Sequence, residues 1–114
     1  MTQLAARQLR VAVIGAGVIG SGWAARMSLA GHFVQWFDPN PNAEPFLQRI
    51  VGNAEAAWSG LSWPQASGRP VRAESLATCV HDADLVIESV PERLEIKRST
   101  YAQIEAAAPP NAIV

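Results

Sequence analysis

The hexapeptide GAGVIG, residues 15 to 20, limits what this chain can fold into more than any other stretch. Ahead of it, LRVAVI (9 to 14) is short, rich in β-formers and without helical spacing, which predicts a buried strand. Behind it, IGSGWAARMSLA (19 to 30) is alanine-rich and closed by Gly31, which predicts a helix with a glycine cap. Glycine pairs alone only permit tight turns; between a strand and a helix they take on separate tasks. Gly15 permits the turn, Gly17 lets the backbone approach a pyrophosphate, and Gly20 lets the helix lie close to the strand. Together with Ala16, Val18 and Ile19 they form a candidate phosphate-binding loop, with free N–H groups at the helix start to meet an anion.

The second half of the pattern is acidic. FVQWF (33 to 37) predicts a second strand, and Asp38 ends it, 18 residues beyond Gly20. That is near the ~20 residues at which a dinucleotide-binding fold places its ribose-binding acid. A carboxylate there accepts hydrogen bonds from both hydroxyls of an adenosine ribose. It would repel a 2′-phosphate, and Pro39 and Asn40 supply no cation to relieve the repulsion. The expected cofactor is therefore NAD rather than NADP; flavin usually needs more chain. The plainer alternative is that Asp38-Pro39 only opens the turn DPNPN.

The rest of the chain repeats the alternation of strand and helix. Apolar residues recur at helical spacing from Pro45 to Trp58, and SGLSWPQASGRP (59 to 70) reads as the one long loop. A short strand near Val71, a short helix over 74 to 81, a strand over 84 to 89 and a helix over 91 to 108 follow. NAIV (111 to 114) opens a further strand. Such an order predicts right-handed crossovers and a Rossmann-type, doubly wound parallel sheet of strand order 3-2-1-4-5, its last strand truncated. With 114 residues the chain makes one NAD-binding domain, 1–114, expected to be the N-terminal piece of a longer protein without its substrate domain.

Charge narrows the partners. Nine Lys/Arg against ten Asp/Glu give a net charge of −1, with no basic cluster to bind nucleic acid or an anionic membrane. No apolar run approaches the ~20 residues of a membrane helix, and MTQLAARQLR lacks the form of a secretory signal. A single cysteine forms no internal disulfide. A cytoplasmic location is expected. Cys79, His81, Asp82 and Asp84 resemble metal ligands on paper, but CVHDAD runs into the loop before a strand, where polar residues are routine; no metal site is expected. Tyr101 lacks the lysine four residues later that a short-chain dehydrogenase needs. The tryptophans read mostly as packing residues, with Trp23, in the first turns after the glycine loop, as the exception.

ESVPERLEIK (88 to 97) leaves the fourth strand and sets three carboxylates, an arginine and a lysine around a proline. In the expected strand order this stretch lies at the switch point, beyond the carboxyl ends of the strands, at the rim of the cofactor cleft. A purely local reading also fits. Ser89 and Glu92 match a capping box with Pro91 in the first turn, and Glu95 and Arg98 are spaced as a surface pair.

GAGVIGSGWAARM, FDPNP and above all IESVPERLEIK resemble the N-terminal domain of the 3-hydroxyacyl-CoA dehydrogenase family over nearly the whole chain. The resemblance is strongest to the L-carnitine 3-dehydrogenase branch, with the L-gulonate branch behind it. It implies that Glu92 and Lys97 contact the cofactor ribose next to nicotinamide. It also implies oxidation of a 3-hydroxy to a 3-oxo group on a small molecule (L-carnitine first, a 3-hydroxyacyl-CoA of fatty-acid oxidation second) and a homodimeric parent. The serine, histidine–glutamate pair and asparagine of the family's active site would all follow Val114, so no catalytic residue is assigned. His32 and His81 precede strands and are expected at the amino ends of the sheet, away from the cofactor. A stand-alone NAD-sensing regulatory module is the competing expectation.

Overall fold

The computed structural model describes residues 7–61 and 68–114. Strand β1 (Arg10–Ile14) is followed by helix α1 (Val18–Leu29), β2 (Phe33–Phe37), α2 (Ala43–Gly60), β3 (Val71–Arg72), α3 (Leu76–Val80), β4 (Leu85–Glu88) and α4 (Leu94–Ala107). The sheet runs β3-β2-β1-β4 with every pairing parallel. Ile113 bridges Leu85 in parallel on the free side of β4, so a fifth strand position is opened by one residue pair. The order 3-2-1-4-5 read from the sequence holds, with the switch point between β1 and β4.

Period-two alternation divides the core into two layers. Val11, Val13, Val34 and Trp36 point to one face, where Ala24 and Ala25 of α1 and Leu47 and Val51 of α2 cover them. Ala12, Ile14 and Val86 point to the other, against Leu76, Cys79 and Val80 of α3 and Ile104 of α4. α1 packs through small residues, Ser21, Ala24, Ala25 and Ser28, which lets its backbone approach the sheet. Its end is a Schellman motif: His32 N donates to Met27 O at 3.1 Å and Gly31 N to Ser28 O at 3.0 Å, with Gly31 at φ +96°.

The element boundaries depart from expectation in informative places. α2 runs to Gly60 and so takes in the first residues of the expected loop; residues 62–67 of that loop lie outside the described residues. α4 starts at Leu94, not at 91. Arg93 N donates to Pro91 O at 2.8 Å and Val90 N to the Glu88 carboxylate at 2.7 Å, so the amides before Leu94 are committed to a tight turn rather than a helical ladder. Of the three tryptophans described, only Trp36 is fully buried; Trp58 is half-buried under Arg26, and Trp23 is exposed on α1.

Leu47 has no exposed surface and joins α2 to the sheet. Leu47→Ala is expected to cost about 2–5 kcal/mol, seen as a lower urea midpoint at unchanged slope.

Candidate functional site

The crevice at the carboxyl ends of β1, β2 and β4 is built from backbone first. Gly15 adopts φ +100°, and a Cβ there would lie 2.6 Å from the Ser89 carbonyl oxygen, so only glycine lets the loops after β1 and β4 touch. A Cβ on Gly20 would fall 1.8 Å from the Gly15 carbonyl oxygen, which fixes α1 close against the turn. Gly17 differs from both. Its φ is −78°, and a Cβ would meet nothing within 4 Å. Among the described residues, neither backbone conformation nor packing requires a glycine there.

Gly17 is also the N-cap of α1, without a side-chain cap and without an acid in the first turn. The first amides of a helix have no intrahelical acceptor and carry its positive end. Here they open onto the crevice, flanked by the exposed side chains of Val18 and Ile19. Ala16 is buried; its carbonyl accepts from Ser21 Oγ at 3.0 Å.

Asp38 is tied to this loop. Its Oδ2 accepts from Ala16 N and its Oδ1 from Asn40 N, both at 2.8 Å. The carboxylate therefore holds the glycine loop to the end of β2, a task the sequence did not reveal. A carboxylate offers about four acceptor positions, so two remain for hydroxyl donors in the crevice. The groove in front of it has a volume of about 850 Å³, and its walls include Gly15, Gly17, Asp38, Asn40, Val90 and Gln103.

Across the switch point stands the charged cluster. Lys97 is the only lysine of the sequence. Its Nζ lies 2.6 Å from Glu88 Oε2 and 3.0 Å from Glu92 Oε1. The three side chains step outward from 5% exposure at Glu88 to 22% at Lys97 and 89% at Glu92. Burial works to raise the Glu88 carboxyl, but the hydrogen bonds from Lys97 and Val90, with the influence of the Tyr101 hydroxyl, outweigh it and hold the group below the usual glutamate range. The same contact with Glu88 raises Lys97, and it raises the Tyr101 hydroxyl. The local alternatives fail here. Arg93, not Ser89, is the N-cap of α4, so no capping box forms, and Glu95 pairs with Arg93 at 3.5 Å rather than with Arg98. Sequence reasoning had singled out Glu92 and Lys97 and missed Glu88 as their buried anchor, although its place as the last residue of a buried strand was a signal.

The remaining candidates lie elsewhere. His32 sits before β2, its Nδ1 accepting from Leu9 N at 3.0 Å, and His81 caps the end of α3 ahead of β4. Both are at the amino ends of the strands, one strand length of about 16 Å from the glycine loop. Cys79 is buried, which pushes its thiol up to about 12 despite a backbone hydrogen bond at Val13. Asp84 accepts from Arg10 N at 2.8 Å and pairs with Arg7 at 2.8 Å. Among the described residues, no three His, Cys, Asp or Glu side chains gather as metal ligands, and no helix is long and apolar enough to cross a membrane.

The glycines separate in their expected effects. Gly20→Ala should abolish cooperative unfolding or lower its urea midpoint sharply, whereas Gly17→Ala should stay within about 1 kcal/mol of the parent. The acid limb has a sign as well. A carboxyl lowered in the folded state contributes stability above its unfolded pKa of about 4.3, and that stability is lost as pH falls through the folded value. Glu88→Gln should therefore flatten the loss of stability below about pH 4.3. Asp84, lowered chiefly by the Arg10 backbone hydrogen bond, keeps part of the slope in the variant.

The model of the family described as 3-hydroxyacyl-CoA dehydrogenase, NAD binding domain, matches residues 10–114. An L-carnitine dehydrogenase/betainyl-CoA thioesterase of Agrobacterium fabrum is 46% identical over 108 residues, 93% of this chain and 22% of the relative. An L-carnitine dehydrogenase of Streptomyces coelicolor is 43% identical over 110 residues, 92% of this chain and 34% of the relative. The solved 3-hydroxybutyryl-CoA dehydrogenase of Escherichia coli superposes with a TM-score of 0.79 at 28% identity, covering 93% of this chain and 24% of that one. The chain thus spans between about a fifth and a third of the length of these relatives. The chain belongs, through its NAD-binding domain, to the 3-hydroxyacyl-CoA dehydrogenase family.

Proposed function

We propose that the crevice holds NAD with its adenosine ribose on Asp38, its pyrophosphate over Gly15, Ala16, Gly17, Val18, Ile19 and Gly20, and its nicotinamide ribose toward Glu92 and Lys97. The observation that carries this reading is Gly17, a glycine that the fold does not need and a phosphate against the helix start does. NAD supplies a hydride acceptor. Asp38 orients the adenosine end by accepting ribose hydroxyls, the first amides of α1 neutralise the pyrophosphate, and Lys97 donates to a hydroxyl at the far end. The parent reaction in this reading is oxidation of a 3-hydroxy to a 3-oxo group. L-carnitine is the first substrate, supported by the printed names of the relatives, and a 3-hydroxyacyl-CoA the second. Relatives named as dehydrogenases support an enzyme over a stand-alone sensor. A cytoplasmic, homodimeric parent and a substrate domain beyond residues 1–114 remain part of the proposal.

Calorimetric titration tests the cofactor assignment. NADH is expected to bind more tightly than NADPH, Asp38→Ala to weaken NADH and narrow that preference, and Gly17→Ala to lose NADH binding while folding normally. Equal or tighter NADPH binding would sink the role of Asp38. The 114-residue chain by itself is expected to form no NADH from NAD with L-carnitine or a 3-hydroxyacyl-CoA. Oxidation of the hydroxyl needs a base near neutral pH, and both histidines sit at the wrong end of the sheet. NADH formation that disappears on replacing either histidine would overturn this.

A further inference from the structure

Glu88 offers nothing directly to a ligand, yet it is the most enclosed charge of the crevice. Its Oε2 accepts from Lys97 Nζ at 2.6 Å and from Val90 N at 2.7 Å. With about four acceptor positions on a carboxylate, two are filled by the protein itself. Lys97 is fixed at both ends: its backbone N donates to Arg93 O at 2.9 Å in the first turn of α4, and its ammonium is held by Glu88. The second contact, to Glu92, is to a side chain 89% exposed, where solvent screens the pair and the side chain is free to move. The enclosed contact therefore sets where the ammonium stands.

We propose that Glu88 is a positioning residue, anchoring the only lysine of the chain at the rim of the crevice so that its remaining N–H groups face the nicotinamide-side ribose. This rests on the cofactor placement above and deepens it. Free lysine has a long flexible stem, and an ammonium held in advance loses less freedom when the ligand arrives. Glu92 then closes over the site as a mobile outer partner. Glu88→Gln keeps one acceptor oxygen for the Val90 amide while removing the charge, so the turn after β4 is retained.

The test compares NADH with AMP, which lacks the nicotinamide half, by calorimetry on the full 114-residue chain. Glu88→Gln is expected to weaken NADH about tenfold, the scale of one charge-assisted hydrogen bond, and to leave AMP unchanged. In a Lys97→Met background, Glu88→Gln should have no further effect on NADH. Unchanged NADH affinity, equal weakening of NADH and AMP, or a full effect on top of Lys97→Met would each overturn the proposal. The unsubstituted protein supplies a second measurement that needs no cofactor. Lysine labelled with carbon-13 at Cε gives one side-chain resonance, because Lys97 is alone, facing Glu88, Glu92 and Tyr101. It is expected to titrate above the free-lysine value and to fall back toward it in Glu88→Gln. Titration of the parent protein at the free-lysine value would overturn the anchoring itself. Absence of NADH binding by the parent protein would instead remove the cofactor placement and leave the lysine signal to decide the role of Glu88.

Discussion

Two backbone contacts hold the working end of this domain together. The Gly15 carbonyl lies where a Cβ on residue 20 would have to be, and the Ser89 carbonyl lies where one on residue 15 would have to be. Neither contact tolerates a side chain. Between them they bring the start of α1, the end of β1 and the end of β4 to one point. The Asp38 carboxylate extends the arrangement to the end of β2 through the Ala16 amide. The crevice is thus framed by main chain and by one acid, and its shape follows from glycine positions more than from any side chain that lines it.

The charged stretch that leaves β4 makes physical sense within that frame. A carboxylate as enclosed as Glu88 is costly unless donors surround it. A lysine ammonium and a backbone amide do so here. Having bound Lys97 on its inner side, the cluster presents the same ammonium outward to Glu92. A buried negative charge at the last residue of a core strand is in this way converted into a located positive charge on the rim.

Parallel strands also keep the two ends of the sheet apart. The carboxyl ends carry the glycine loop, Asp38 and the Lys97 cluster. The amino ends carry His32, His81, the ion pair of Arg7 with Asp84 and the interior Cys79. The histidines and the groups proposed to meet the dinucleotide are therefore on opposite sides of a core one strand long.

The sequence by itself determined the elements and their order. LRVAVI, FVQWF and DLVIE are short apolar runs that form strands, and GAGVIG between strand and helix has few other structural meanings. It also put Asp38 at the end of β2 by its spacing from the glycine loop, whereas Lys97 was singled out by the resemblance of IESVPERLEIK. Tertiary structure decided the pairings at the crevice. That Glu88, enclosed at the end of β4, meets a lysine nine residues away and that Asp38 binds the Ala16 amide depend on which groups meet after the strands assemble. The start of α4 at Leu94 and the pair of Glu95 with Arg93 are local choices among competing turns. The turn-forming Asp-Pro persists, since Asp38 Oδ1 accepts from Asn40 N. The capping box gives way to a different local turn in which Val90 N meets Glu88 and Arg93 N meets Pro91 O. What no local reading supplies is the second bond of Asp38, to the Ala16 amide 22 residues away, because that partner is set by the crossover of the chain and not by neighbours along it.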